Sequence, residues 1–178
     1  VIKLVHFERT DFKKLIDWID SPKFLLQWGG QTFCFPLDEQ QLENYIKSAN
    51  TYASQTLIYR VMHEENDEVI GHISLQIDRI NKSARIGKVL IGEKSKRGQG
   101  IGQLMIEKVL NIAFEELKLH RVSLGVFSFN LSAIACYEKA GFVKEGLLRE
   151  ARKIENEFWS LWEMSILENE WFEKKELI

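Results

Sequence analysis

One stretch limits this chain more than any other. Val89-Leu90-Ile91 leads through a short charged segment to Arg97-Gly98-Gln99-Gly100-Ile101-Gly102, and apolar residues at helical spacing follow. An apolar run feeding a glycine-rich loop that opens a long helix calls for an α/β arrangement with the loop at a strand's end. The first backbone N–H groups of such a helix have no partner within it, and they sit at the positive end of its dipole. The loop is therefore a ready anion site. Glycines let the backbone close on a pyrophosphate without Cβ interference, and Arg97 adds a fixed positive charge. It is not a Walker loop, because Gly102 is followed by Gln103. Nor does it have the G-x-G-x-x-G spacing of a dinucleotide fold. A plain flexible turn before a helix is the alternative reading.

The rest of the chain supplies elements to match. Thr10-Asp11 reads as a helix start, with Phe12, Leu15, Ile16 and Ile19 as its apolar stripe. Ser21-Pro22 opens a second helix through Trp28, Gly29-Gly30 stops it, and Asp38 caps a third helix carrying Leu42, Tyr45 and Ile46. Thr56 to His63, Val69 to Ile80 and Ala84 to Ile91 read as paired strands, with turns at Glu64 to Glu68 and Asn81-Lys82. Beyond the loop, Ile101, Leu104, Met105, Val109, Ile112 and Ala113 mark one face of a helix. There follow a strand (Arg121 to Val126), a helix (Leu131 to Lys139), a strand from Phe142, a turn at Asn156-Glu157, a strand from Trp159 to Leu167 and a helical end. The predicted fold class is α/β (mixed α+β): a mostly antiparallel mixed sheet of about six or seven strands flanked by helices.

Bulk properties narrow the function. A chain of 178 residues, 45% hydrophobic, buries roughly two-thirds of its unfolded surface, so one domain over 1–178 is expected without staples. Cys34 and Cys136 match no metal-ligand spacing; reduced thiols in a cytoplasmic protein are the expectation, a single long-range disulfide the alternative. No metal is expected. A net charge of −2 points away from nucleic acid. No apolar run reaches the roughly 20 residues of a membrane span, and no signal-peptide pattern is evident.

Two motif blocks now resemble a known family. Arg97-x-x-Gly100-x-Gly102 is similar to the acetyl-CoA signature of the GNAT N-acetyltransferases, Arg/Gln-x-x-Gly-x-Gly/Ala. Asn130-Leu131-Ser132-Ala133 followed by Tyr137-Glu138-Lys139-Ala140-Gly141-Phe142 resembles the family's second block. Gly146-Leu147-Leu148-Arg149-Glu150 and Glu170-Trp171 look most like the branch of ribosomal-protein-alanine N-acetyltransferases.

The resemblance implies acetyl transfer from acetyl-CoA to a primary amine. It implies that Val89, Leu90 and Ile91 pair with the pantetheine arm, with a backbone N–H such as Leu90's as oxyanion donor. The cofactor-binding set is completed by Arg97, Gly98, Gln99, Gly100, Ile101 and Gly102 on the pyrophosphate, with Asn130 and Ser132. Asn130 and Tyr137, two helical turns apart, share a face. Tyr137 is the expected general acid for the thiolate, against its plain reading as a core aromatic. Asn130 is otherwise an N-cap and Gly141 a C′ residue. The base is open. Arg85 stands where relatives carry glutamate in Ala-Glu-Ile-Gly-Tyr, leaving His72, Asp78, Glu93 or water. The segment Trp28 to Phe35 forms either an acceptor wall, with Trp28 and Phe33 as the substrate contacts, or a plug against the sheet. The acceptor is a peptide N-terminal amine or a small amine (polyamine, amino sugar, aminoglycoside); the protein is a monomer or homodimer. A CoA-binding regulatory module without turnover is the competing class.

Overall fold

The computed structural model describes all residues 1–178. Seven strands follow the order β1-β2-β3-β4-β5-β7-β6. They are β1 (Ile2–His6), β2 (Thr56–His63), β3 (Val69–Asp78), β4 (Ser83–Ile91), β5 (Arg121–Phe127), β6 (Val143–Ile154) and β7 (Glu157–Leu167). β4 and β5 pair parallel from Ser83↔Arg121 to Ile86↔Leu124, whereas β1–β2, β2–β3, β5–β7 and β6–β7 pair antiparallel. The mixed, mostly antiparallel sheet expected from the strand pattern is observed. The helices are α1 (Phe12–Trp18), α2 (Pro22–Gly29), α3 (Glu39–Ile46), α4 (Ile101–Asn111), α5 (Leu131–Ala140) and α6 (Glu168–Glu176). None is long and apolar enough to cross a membrane. The chain divides into two compact units: Val1–Gln76 with Gly87–Ile101, and Ile77–Ile86 with Gly102–Ile178.

In the first unit, α2 and α3 start where a side chain satisfies an orphan N–H group, whereas α1 follows directly on a 3-10 turn over Arg9–Asp11. Asp11 accepts from the Glu8 N–H at 2.9 Å ahead of α1. Ser21 accepts from the Phe24 N–H at 3.1 Å with Pro22 at the first helical position, and Asp38 accepts from the Gln41 N–H at 2.9 Å. Phe12, Leu15, Leu25, Trp28 and Leu42 then pack with Phe7, Ile58 and Leu90 into one apolar cluster.

The second unit buries Met105, Ile106, Leu110 and Phe114 with Val122, Met164 and Ile166. The buried face of α4 differs from the expected one. Ile106 and Leu110 are interior, while Leu104 and Ile112 are only half-buried. A π turn over Ile112–Glu116 follows α4, with the Leu117 N–H donating to the Ile112 carbonyl, and it shifts the stripe from residue 112 onward. Two boundaries also move: β3 stops at Asp78, and the β6–β7 turn sits at residues 155–156. Both cysteines are free thiols.

Close packing fixes the exit of β4. A Cβ on Gly71 would meet the Leu90 carbonyl oxygen, and one on Gly92 would meet the Trp18 indole. Gly71→Ala is therefore expected to destabilise the fold by about 1–3 kcal/mol in urea unfolding, through overpacking against backbone. Gly146→Ala, whose added methyl meets open space, is expected to change stability by less than about 0.5 kcal/mol.

Candidate functional site

Arg97, Gly98, Gln99 and Gly100 all lie exposed ahead of α4. Gly98 and Gly100 have φ of +76° and +78°, values that an L side chain strains to adopt. The Arg97 Nε donates to the Ile91 carbonyl at 2.9 Å and the Gln99 amide to the Ser95 carbonyl at 2.8 Å, so the loop is tied to the strand it leaves. The backbone N–H groups of Gly98, Gln99 and Gly100 donate to no group of the chain. The first N–H groups of α4, from Ile101 and Gly102 onward, have no partner within the helix. These are successive unbonded donors leading into one helix start, suited to a multiply charged anion. Ile101 itself is buried, and its side chain anchors the helix start.

β4 delivers the loop. Leu90 is buried, and Val89 and Ile91 are half-buried. Lys88, just before them, is held at φ +52°. Its carbonyl accepts the Trp28 indole N–H at 2.9 Å. Trp28 and Phe33 are 5% and 9% exposed and stack with ring centroids 5.5 Å apart. The two rings thus pack as core, and the Trp28 indole ties α2 to β4. Tyr45 stands edge-on to Phe33 at 5.3 Å, and the Lys88 Nζ lies over both rings, 5.9 Å from Phe33 and 5.3 Å from Tyr45.

The candidate bases fare unequally. His72 is 1% exposed, and its Nε2 lies 2.9 Å from the Tyr45 hydroxyl. Burial, with the Lys88 charge second, pushes its pKa down to about 3, so the ring is neutral at neutral pH. Asp78 caps a surface turn, accepting from the Asn81 N–H at 3.0 Å and its amide at 2.7 Å. Glu93 accepts from the Trp18 indole at 3.3 Å and lies 3.7 Å from Lys14. Asp78 and Glu93 are thus engaged in holding structure. Arg85 forms a two-pronged ion pair with Glu163 of β7, one prong at 3.1 Å. At that point of β4 the arginine is thus paired with an acid on β7.

In the second unit, Asn130 caps α5, its Oδ1 3.4 Å from the Ala133 N–H and 3.3 Å from the Ser132 hydroxyl, which is exposed. Tyr137 is buried against Phe142, its hydroxyl without a hydrogen bond in the chain. Burial pushes its phenol well above the usual range, followed by the nearby Cys136. The phenol therefore keeps its proton at neutral pH. Gly141 ends α5 at φ +108°, as a C′ glycine does.

A family model described as an acetyltransferase (GNAT) domain matches residues 2–143. The chain belongs to the GNAT acetyltransferase family. A spermidine N(1)-acetyltransferase of Vibrio cholerae is 30% identical over 176 residues, 98% of each chain. YjcK of Bacillus subtilis, described as a probable N-acetyltransferase, is 41% identical over 103 residues. That match spans 57% of this chain and only 55% of YjcK. The crystal structure of the Vibrio cholerae spermidine enzyme with CoA and spermine superimposes with a TM-score of 0.80 at 24% identity, covering 96% of this chain and 98% of that one. That likeness supports the fold of this acetyltransferase.

Sequence reasoning passed over Tyr45, Lys88 and Glu163. Their partners lie 27, 43 and 78 residues away or more, so no local spacing announces them. The only signal was lysine at the end of Ala84-Arg85-Ile86-Gly87-Lys88, where relatives carry tyrosine.

The neutral, buried His72 makes stability depend on pH. Its folded pKa lies below the unfolded value of 6.5, so its contribution is complete above that value and lost as pH falls from 6.5 towards 3. Between pH 7 and pH 5 the expected loss from this residue is about 2 kcal/mol. His72→Gln, which keeps a partner for Tyr45, should remove that share of the acid dependence in urea unfolding at the two pH values.

Proposed function

We propose that this acetyltransferase takes the acetyl group of acetyl-CoA and passes it directly to a primary amine, the whole chain acting as one catalytic domain. The observation that carries the reading is the loop: unbonded N–H groups at Gly98, Gln99 and Gly100, two glycines at positive φ, and the open first turn of α4. These groups suit the pyrophosphate of CoA, and Arg97 adds charge beside them. Acetyl-CoA supplies an activated acyl thioester. The chain does the rest. Val89 to Ile91 hold the pantetheine arm, and the Leu90 N–H is the donor for the developing oxyanion. Asn130 and Ser132 add polar contacts. Tyr137 gives its proton to the departing thiolate; its hydroxyl, unpaired within the chain, is free to do so. His72 stays uncharged and adds no second positive charge beside Lys88. The acceptor ammonium loses one proton to water before it attacks, and the second proton, released from its nitrogen as the amide forms, returns through water to the Tyr137 phenolate.

The acceptor is a small amine. The spermidine N(1)-acetyltransferase, alike over 98% of both chains, supports this choice over a protein substrate. The Gly146–Glu150 block resembles the ribosomal-protein branch, and it keeps a peptide α-amine as the second reading. Trp28 and Phe33 shape the acceptor side from behind, as supports rather than as an exposed wall.

Calorimetric titration with acetyl-CoA tests the loop. The parent is expected to bind, and Gly100→Glu, which sets a carboxylate among the anion donors, to bind at least about tenfold more weakly while staying folded. No binding by the parent contradicts the proposal. Binding without CoA release on any amine would mark a CoA-binding module. Tyr137→Phe is expected to lower kcat by about 10²- to 10⁴-fold at unchanged acetyl-CoA affinity, measured by thiol release. An unchanged kcat would leave Tyr137 with only its packing role.

A further inference from the structure

We propose that Lys88 is a specificity-determining residue for the acceptor. The amine that receives the acetyl group also bears a carboxylate or a phosphate, and Lys88 binds it. This rests on the acetyltransferase reading above, and it names the substrate class of that same site.

Lys88 is half-buried on β4, directly before Val89, Leu90 and Ile91. No acidic side chain of the chain pairs with it. Its ammonium lies over the Phe33 and Tyr45 rings at 5.9 and 5.3 Å, and the other ionisable group beside it, His72, is neutral. The backbone there is held in a left-handed conformation at φ +52°, with the carbonyl fixed by the Trp28 indole. A lysine that merely solvates a surface needs no such support.

Ring faces stabilise a cation only partly, and an ammonium stripped of some water and lacking a counter-ion is completed by an anion from solvent. Burial already pulls its pKa down, the mark of a charge without a partner. A second cation arriving in the same partly dry surroundings is repelled. The chain thus presents positive charge at a position where an acceptor of several amines would require negative charge. Its acceptor therefore differs in charge from spermidine, and an amino acid or an amino phosphate fits.

Matched amines separate these possibilities in a thiol-release assay: β-alanine against β-alaninamide, 2-aminoethyl phosphate against ethanolamine, and spermidine. The parent is expected to favour the anionic member of one pair by about 10- to 100-fold in kcat/KM, and the pair that shows it tells carboxylate from phosphate. Lys88→Met should collapse that ratio to near one, and Lys88→Arg should keep most of it. Because each ratio is taken within one variant, loss of folded protein cancels. A parent that prefers spermidine or the uncharged members overturns the inference. So does a Lys88→Met variant that slows both members of a pair alike, or a parent that binds acetyl-CoA but turns over no anionic amine. A parent that binds no acetyl-CoA instead overturns the acetyltransferase reading beneath it.

Discussion

The exit of β4 is held by contacts that leave no room for a side chain. Gly71 lies against the Leu90 carbonyl and Gly92 against the Trp18 indole, while the Trp28 indole fixes the Lys88 carbonyl. Much of the candidate chemistry in the first unit follows from that placement. The strand leaves at Ile91, Arg97 folds back onto the Ile91 carbonyl, and the glycines at 98 and 100 take positive φ with their N–H groups unbonded just ahead of the helix start. A close-packed interior transmits a misfit of one methyl group, so the phosphate loop inherits its precision from Gly71 and Gly92 upstream as much as from its own glycines.

Charge is arranged with similar economy. Arg85 is neutralised by Glu163, the buried His72 is kept neutral, and Lys88 is left unpaired among aromatic faces. In the first unit, a neutral imidazole beside one uncompensated ammonium makes the local field that of a single positive charge. Tyr137, in the second unit, keeps its proton because burial disfavours the phenolate, which suits a donor rather than a base.

The sequence revealed those parts of the molecule whose physics is local. Helix caps at Ser21, Asp38, Asn130 and Gly141 were legible because capping involves residues within one turn. The phosphate loop was legible because glycine spacing and helix onset are local too. β1 was not read as a strand: Ile2–His6 is short and becomes one only by pairing with β2, some sixty residues on. The expected α4 face ran through Leu104, which lies in regular helix one step off the buried Ile101, Met105 and Val109, and through Ile112, where a π turn begins and breaks the assumed period. The Tyr45–His72 contact, the Arg85–Glu163 pair and the cage around Lys88 join residues far apart in the chain, so only the fold discloses them.

The central claim is that the free backbone donors from Gly98 to the first turn of α4 receive the pyrophosphate of acetyl-CoA. Amide hydrogen exchange with and without acetyl-CoA reads those donors individually. The account predicts exchange slowed at least about tenfold at Gly98, Gln99, Gly100, Ile101 and Gly102, with the β6–β7 turn unaffected. Unchanged exchange across the loop in protein saturated with acetyl-CoA would contradict it.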